Sequence, residues 1–267
     1  MANDNNRVLN LEKGVNFREL GGYQTIDGKT IKYHKVIRSA GLGDLTQNDL
    51  NFLNNYGLKT DIDFRSQEEI NQKPDRIPDG TEYVSAPVFQ EDETEASKVQ
   101  SDSFIPEIGG DPTNGFNHMK DVYRDIITGD QAKSAYRVFF DKLLSNDQDD
   151  DVLLFHCSAG KDRTGMGAIY LLTTLGVPMD VIKKDYLLTN QVNKGFVDNL
   201  ILDLQNKGYK DENVLSSVRD LMTVHTDYLA SAEKSIAETS GNLDNYIKDE
   251  LKVTPAQISD LKKIYLK

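Results

Sequence analysis

Apolar and polar positions along the chain alternate between short apolar runs and longer amphipathic stretches, as expected of an α/β protein. Residues 152–155 form a short run with no polar position, which is typical of a strand buried on both faces. Residues 166–175 are apolar over a helical length. A polar segment containing Gly160 separates the two, so this region predicts a strand, a tight loop and a helix.

Other strands and helices are predicted on both sides of this unit. Strands are expected at 36–39, 59–65 and 81–88, with a hairpin near 23–33 that turns at Asp27 and Gly28. Helices are expected at 47–56, capped by Thr46 and ended by Gly57, at 67–72, capped by Ser66, and at 116–128, 132–144 and 178–188. These elements predict an α/β fold with a mostly parallel central sheet flanked by helices.

The domain organisation follows from length and from the remaining segments. We expect 1–267 to form a single domain, with a loose N-terminus over 1–10. Apolar residues recur at three and four positions through most of 189–267, which predicts a helical extension packed on the same domain. The acidic segment 90–115 has no periodicity and is expected to be either a lid or a solvated surface loop.

Composition narrows the classes of partner. There are 31 Lys and Arg residues against 43 Asp and Glu residues, and the net charge of -12 argues against nucleic-acid binding and stable membrane association. No apolar run approaches the length of a transmembrane helix. The polar N-terminus predicts a cytoplasmic protein as written, or a secreted one if a leader has been removed. The sequence leaves the oligomeric state open.

The loop between the predicted strand and helix carries the candidate chemistry. Cys157 opens it and Arg163 closes it, and a loop entering a helix directs backbone N–H groups at one place, which suits an anion. We expect a thiolate at Cys157 and a bidentate hold by Arg163 on a phosphate monoester. Phosphate-binding positions are expected at Ser158, Ala159, Gly160, Lys161 and Arg163.

Neighbouring residues are expected to support this loop. Thr164 can hydrogen-bond the sulfur, and His156 is expected to brace the loop through backbone contacts. Asp63 and Arg65 end a predicted strand at the edge of the sheet where sites form, so they are expected near Cys157 as a structural pair, a functional one, or both. For Arg18 we favour a structural ion pair over a pocket wall.

Expulsion of an alcohol or phenol from phosphate calls for a carboxylic acid, and several aspartates are candidates. Asp162 is the nearest along the chain, although it could instead order the loop by pairing with a neighbouring Lys or Arg. Asp63 is the second candidate. A third group lies in the middle segment: Asp92, Asp102 and Asp111. Lys161, if placed at the rim, would favour a substrate with more than one phosphate.

The stretch 156–164, His-Cys-Ser-Ala-Gly-Lys-Asp-Arg-Thr, resembles the signature of cysteine-dependent protein tyrosine phosphatases. Its Gly-Lys-Asp-Arg variant is similar to a bacterial branch that includes secreted mycobacterial and listerial phosphatases, as are residues 16–23, 37–40 and 61–66. The resemblance implies a phosphatase fold, a phosphocysteine intermediate and Asp162 as the acid. It implies hydrolysis of phosphotyrosine, extending to phosphoserine, phosphothreonine and phosphoinositides, or alternatively an activity mainly on phosphoinositides.

Other functions and cofactors fit less well. An arsenate reductase needs further cysteines, whereas this chain has one. A sulfurtransferase could use a single cysteine, but the full loop fits phosphate better. A non-catalytic phosphate-binding module would have lost Cys157, Arg163 or the acid, and all three are present. No His and Cys cluster has metal-ligand spacing, so neither a metal nor a cofactor is implied. A lone thiolate should oxidise readily to sulfenic acid, with no second cysteine to protect it.

Overall fold

A computed structural model describes residues 7–99 and 104–267. The strands are β1 Arg18–Glu19, β2 Val36–Ser39, β3 Leu58–Asp63, β4 Glu82–Ser85 and β5 Val152–His156. The helices are α1 Gln47–Tyr56, α2 Gln67–Gln72, α3 Asn114–Thr128, α4 Asp130–Ser145, α5 Arg163–Leu175, α6 Met179–Val192, α7 Lys194–Asn206, α8 Glu212–Met222, α9 Thr226–Ser240, α10 Leu243–Asp249 and α11 Pro255–Tyr265.

The five strands form one sheet in the order β1-β2-β5-β3-β4. Only β1 is antiparallel to its neighbour, so the predicted mostly parallel sheet flanked by helices is confirmed. Every residue of β5 is buried, which accounts for its continuous apolar run. Because β2, β3 and β5 are parallel, Ser39, Asp63 and His156 end side by side at one edge of the sheet.

Helix boundaries follow the capping signals closely. Thr46 forms a capping box with Asp49 at the start of α1, and Gly57 ends that helix in the left-handed conformation at φ 99°. Ser66 forms the same box with Glu69 at the start of α2. Helix α6 begins at Met179, because Pro178 lies just outside it with extended backbone.

Strand boundaries differ more from the sequence expectations. Strand β3 ends at Asp63, since the Arg65 N–H donates to the Asp63 carboxylate at 2.9 Å and turns the chain out of the sheet. Strand β4 ends at Ser85, before Pro87, which lacks a ladder donor. The hairpin near 23–33 reduces to a bridge between Gln24 and Thr30 around the expected turn.

Residues 7–9 are more ordered than expected. The prediction of a loose terminus over 1–10 is wrong for residues 7–9, because Val8 bridges to Arg18 and the Leu9 N–H donates to the Phe17 carbonyl at 3.0 Å. Residues 1–6 lie outside the described range. Beyond the sheet, α8 and α9 pack on α3, while α10 and α11 pack on α5. Among the described residues, no helix is both long and apolar enough to cross a membrane.

Candidate active site

The loop from Cys157 to Asp162 joins β5 to α5 at the edge where the parallel strands end. Cys157 is buried, with 2% of its surface exposed. Gly160 has φ 65°, and a Cβ at this position would lie 2.3 Å from the Ser39 carbonyl oxygen. Only glycine therefore lets the loop turn this close to β2. The expected strand, tight loop and helix are all present.

A cleft of about 550 Å³ opens above this loop. Its wall combines loop residues with side chains from the flanking elements, including Arg65, Glu69, Ser158, Ala159, Asn193 and Phe196. Ser158 and Ala159 are half-buried and form part of the surface, whereas Cys157 lies beneath it. The cleft is therefore lined by loop residues and not by the thiol itself.

Arg163 begins helix α5 beside Cys157 and is fully buried. Its Nη1 and Nη2 donate to the two carboxylate oxygens of Glu69 at 2.7 and 2.9 Å, and Nη2 also donates to Thr94 Oγ1 at 3.1 Å. Its Nε–H meets no acceptor among the described residues. The guanidinium is thus held in place with one side still open for hydrogen bonding.

Glu69 is a site residue that the sequence analysis missed. Burial works toward a higher pKa, but the Arg163 guanidinium outweighs it and lowers the pKa of Glu69 to about 2. Burial alone would lower the pKa of Arg163, whereas Glu69, Cys157 and Asp92 raise it well above its ordinary value. The available signal was the Ser66–Glu69 capping box, which places Glu69 on the first turn of α2.

Asp162 and Lys161 form a buried pair within the loop. Lys161 Nζ lies 2.7 Å from Asp162 Oδ2, an ion pair rather than a well-aligned hydrogen bond. Asp162 Oδ1 accepts a hydrogen bond from the Tyr123 hydroxyl at 2.9 Å. The expectation of Lys161 as a rim cation is wrong, because the residue has no exposed surface. Asp162 pairs with Lys161, as its alternative role of ordering the loop requires.

Asp63 and Arg65 lie beside the loop as a buried ion pair. Asp63 accepts hydrogen bonds from Arg65 Nε at 3.0 Å and Nη2 at 2.7 Å, and from the Tyr83 hydroxyl at 2.8 Å. Arg65 also lines the cleft. With its oxygens committed to several donors, Asp63 acts as an anchor for Arg65 at the end of β3.

His156 lies at the centre of a buried charged cluster under the loop. Its Nε2 is 3.3 Å from Asp61 and 3.2 Å from Asp75, and its Nδ1 is 3.4 Å from the Cys157 carbonyl oxygen. Burial opposes its charge, but Asp63, Asp61 and Asp75 outweigh burial and raise the pKa of His156 well above its ordinary value. The contact between His156 Nδ1 and the Cys157 carbonyl oxygen fits the expected role of His156 in bracing the loop.

This cluster bears on the expectation that no metal is implied. Asp61, Asp75 and His156 offer ligand atoms within 4.8 Å of one another, a proximity that their spacing along the chain conceals. Arg65 pairs with Asp75, and the His156 imidazole lies within ion-pair distance of Asp61 and Asp75. The cluster is therefore accounted for by ion pairs.

Residues 92–97 place another aspartate next to Arg163. Asp92 Oδ1 is 3.6 Å from Arg163 Nη2. The Asp92 carboxylate accepts four hydrogen bonds, from the N–H and hydroxyl groups of Thr94 and Ser97. It thereby holds these residues in a compact turn. Asp102 lies outside the described residues, and Asp111 is exposed and bound to Thr113.

Thr164 and the far side of the loop complete the surroundings. Thr164 is buried, and its hydroxyl meets no partner among the described residues, which leaves it available to the Cys157 sulfur.

On the far side of the loop, Asn16 and Arg38 donate hydrogen bonds to loop carbonyls, a role that the sequence did not predict. Arg18 forms an ion pair with Asp185, as the structural interpretation favoured.

Comparison with known proteins identifies the family. A family model described as the tyrosine phosphatase family matches residues 9–267. A Cupriavidus necator protein assigned as a tyrosine-protein phosphatase is 30% identical over 91% of this chain and 84% of its own length. The triple specificity protein phosphatase PtpB of Mycobacterium tuberculosis is 27% identical over 91% of this chain and 93% of its own length. The chain therefore belongs to the tyrosine phosphatase family, as the loop signature implied.

Proposed function

We propose that the chain hydrolyses phosphomonoesters, phosphotyrosine foremost, through a phosphocysteine formed at Cys157. The observation that carries the proposal is the placement of Cys157 and Arg163 at the two ends of a loop that enters helix α5. The N–H groups of such a loop and the helix dipole favour a bound dianion. Family membership supports the same chemistry.

In the first step, the Cys157 thiolate attacks phosphorus while the phosphorus–oxygen bond to the leaving group breaks. The phosphate oxygens accept hydrogen bonds from the loop N–H groups and from Arg163. Because Glu69 holds the end of the guanidinium, we infer that phosphate takes Nε and the Nη2 hydrogen now donated to Thr94. Binding therefore displaces the Thr94 hydroxyl.

Asp162 is proposed as the acid that protonates the leaving oxygen. Its carboxyl must turn away from Lys161 and Tyr123 to reach that oxygen, so the proposal includes this rotation. In the second step, Asp162 takes a proton from water as the water oxygen attacks phosphorus. The phosphorus–sulfur bond then breaks, and the Thr164 hydroxyl donates a hydrogen bond to the departing thiolate.

The cleft supports substrates broader than phosphotyrosine. Lys13, Arg65 and Lys73 contribute cations to its lining, with Asp44 paired to Lys73, and Phe196 and Met222 contribute apolar surface. A phosphoinositide ring or a peptide with a second phosphate would meet those cations, so phosphoserine, phosphothreonine and phosphoinositides are proposed as further substrates. PtpB, named for triple specificity, supports this breadth. Residues 90–115 remain proposed as either a lid or a surface loop.

Hydrolysis of an aryl phosphate by the wild-type chain and by Cys157→Ser tests the proposal. The wild type should turn over, while Cys157→Ser should lose at least about 1,000-fold in kcat, because a serine hydroxyl is far less ionised than the thiol at neutral pH. Binding of inorganic phosphate should persist in that variant. Retained turnover in Cys157→Ser would exclude the proposed nucleophile, and phosphate binding without turnover in the wild type would indicate a non-catalytic module.

A further inference from the structure

We infer that Asn16 and Arg38 are positioning residues that aim the phosphate-binding N–H groups of the loop by holding its carbonyl groups from behind. The inference rests on the proposed function only in taking phosphate as the anion that the loop binds. Both residues lie outside the 156–164 motif: Asn16 just precedes β1, and Arg38 lies in β2.

The contacts are made to two consecutive carbonyl oxygens. Asn16 Nδ2 donates to the Gly160 carbonyl at 2.9 Å and to the Ala159 carbonyl at 3.2 Å. Arg38 Nη2 donates to the Gly160 carbonyl at 2.8 Å. Asn193, at the junction of α6 and α7, adds a longer contact to the Ala159 carbonyl at 3.4 Å. Three separate elements thus converge on one turn of the loop.

Peptide geometry converts these contacts into a constraint on the anion site. In a planar trans peptide, the carbonyl of one residue and the N–H of the next point in opposite directions. Holding the Ala159 and Gly160 carbonyls behind the loop therefore directs the N–H groups of Gly160 and Lys161 toward its front. Gly160 has no Cβ, so without these contacts its backbone could leave the observed φ of 65° for other conformations at little cost.

The two donors are themselves held rigidly. Arg38 Nη1 donates to Asp185 Oδ2 at 3.0 Å, and Arg18 lies 3.6 Å from Asp185 Oδ1 while donating to the Asn16 side-chain oxygen. The Tyr23 hydroxyl donates to the same carboxylate at 3.0 Å. Since Asn16 receives its hydrogen bond from Arg18, its amide nitrogen must face the loop. The arrangement fixes which end of the amide meets the carbonyls.

Charge adds a second effect behind the loop. Arg18, Arg38 and Asp185 are all buried, so two guanidinium groups face one carboxylate. Neither guanidinium group lines the cleft, and both are fully buried, so water does not screen the surplus positive charge. A fixed positive charge at this place favours the dianion and the thiolate on the front of the loop.

Binding of inorganic phosphate in a Cys157→Ser background tests the inference without requiring turnover. Asn16→Asp keeps the acceptor for Arg18 and a residue type that tolerates the left-handed φ of 59°, but removes the donor to both carbonyls. We expect its phosphate dissociation constant to rise about tenfold, because both hydrogen bonds to the loop are lost and the new carboxylate offsets part of the positive charge behind the loop. Asn146→Asp is the matched control, because buried Asn146 donates to the Lys35 carbonyl at 3.3 Å, away from the loop.

The control should change phosphate affinity less than about twofold. In chains with Cys157 intact, Asn16→Asp should raise KM for an aryl phosphate and lower kcat, whereas a purely structural role would lower the melting temperature and leave both constants alone. Wild-type phosphate affinity in folded Asn16→Asp overturns the inference. If Asn16→Asp does not fold, Arg38→Lys provides the test, since a lysine cannot reach Asp185 and Gly160 together. Wild-type phosphate affinity in Arg38→Lys would also overturn the inference. Failure of wild-type turnover would instead count against the proposed function alone.

Discussion

Asp162 holds its carboxylate between the Lys161 ammonium and the Tyr123 hydroxyl, and both contacts bear on its role. The pairing with Lys161 orders the loop, which is one of the two roles that the sequence allowed. The proposed acid role requires the carboxyl to leave this position when substrate binds. Leaving-group chemistry separates the two roles, because only proton transfer depends on the basicity of the departing oxygen.

Asp162→Asn should therefore slow substrates unequally. General acid catalysis contributes about 10²–10⁴-fold, so we expect a loss of about that size with phosphoserine and a much smaller loss with an activated aryl phosphate. The alkaline limb of the pH–rate profile should flatten. Asp63→Asn is the comparison, since loss of the Arg65 anchor should slow all substrates alike. Equal losses for every substrate in Asp162→Asn would assign it to loop order and return attention to Asp63 and Asp92.

At the scale of elements, helix α2 and residues 92–97 both contact the Arg163 guanidinium, and in the proposed mechanism only residues 92–97 compete with phosphate for it. Thr94 occupies the Arg163 Nη2 hydrogen that we assign to phosphate, while Glu69 on α2 fixes the other end. The Asp92 turn supports Thr94 in that position. The two Nη atoms of Arg163 thus have protein acceptors, whereas its Nε–H has none among the described residues.

Thr94→Val removes the competing hydroxyl. We expect phosphate to bind about threefold to tenfold more tightly, because Arg163 no longer exchanges a protein acceptor for the anion. Thr94→Ser keeps the hydroxyl and should bind phosphate like the wild type. Titration of both variants with inorganic phosphate measures the difference. Weaker binding in Thr94→Val would show that the hydroxyl assists the anion instead of competing with it.

The sequence predicted those elements whose signals are local. The apolar run of β5, the glycine of the loop and the capping boxes of α1 and α2 each act within a few residues. Strand β1 was missed because two residues are too short for an alternating pattern. Its pairing depends on β2, which lies elsewhere in the chain.

The candidate site was predictable only along the loop itself. Cys157, Asp162 and Arg163 are set by one contiguous motif. Glu69 on α2, Asn16 just before β1 and Arg38 on β2 reach the loop through tertiary packing, so spacing could not identify them. The burial of Lys161 was likewise hidden, since a lysine in a loop is ordinarily exposed and this one is covered by tertiary packing.

At the scale of the whole molecule, the buried ion pair between Glu69 and Arg163 makes the stability of the fold depend on pH. Glu69 has its pKa lowered to about 2 by Arg163, against an ordinary value of 4.5. A carboxyl with a lowered pKa stabilises the folded state above its unfolded pKa and loses that contribution as pH falls. The folded protein should therefore lose the benefit of this pair between pH 4.5 and 2.

Glu69→Gln tests that linkage. At pH 7 we expect the variant to be less stable by about 2 kcal/mol, the scale of a hydrogen bond to a charged partner. The difference from wild type should shrink as pH falls from 4.5 toward 2, because protonated Glu69 and glutamine are then equivalent. Glu68→Gln, on the exposed neighbour, should show no such convergence. A stability difference independent of pH would contradict the assignment of the lowered pKa to this pair.

The central claim is that Cys157 carries the phosphoryl group during turnover, and a rapid acid quench tests it most directly. Wild-type chain mixed with an aryl phosphate, quenched within one turnover and digested, should yield the Cys157 peptide with one added phosphoryl group by mass spectrometry. The Cys157→Ser chain should yield no phosphorylated peptide from this segment. The same adduct should accumulate further in Asp162→Asn, which slows the attack of water. Turnover of the wild type with phosphate found on another residue, or on none under any quench, would contradict the account.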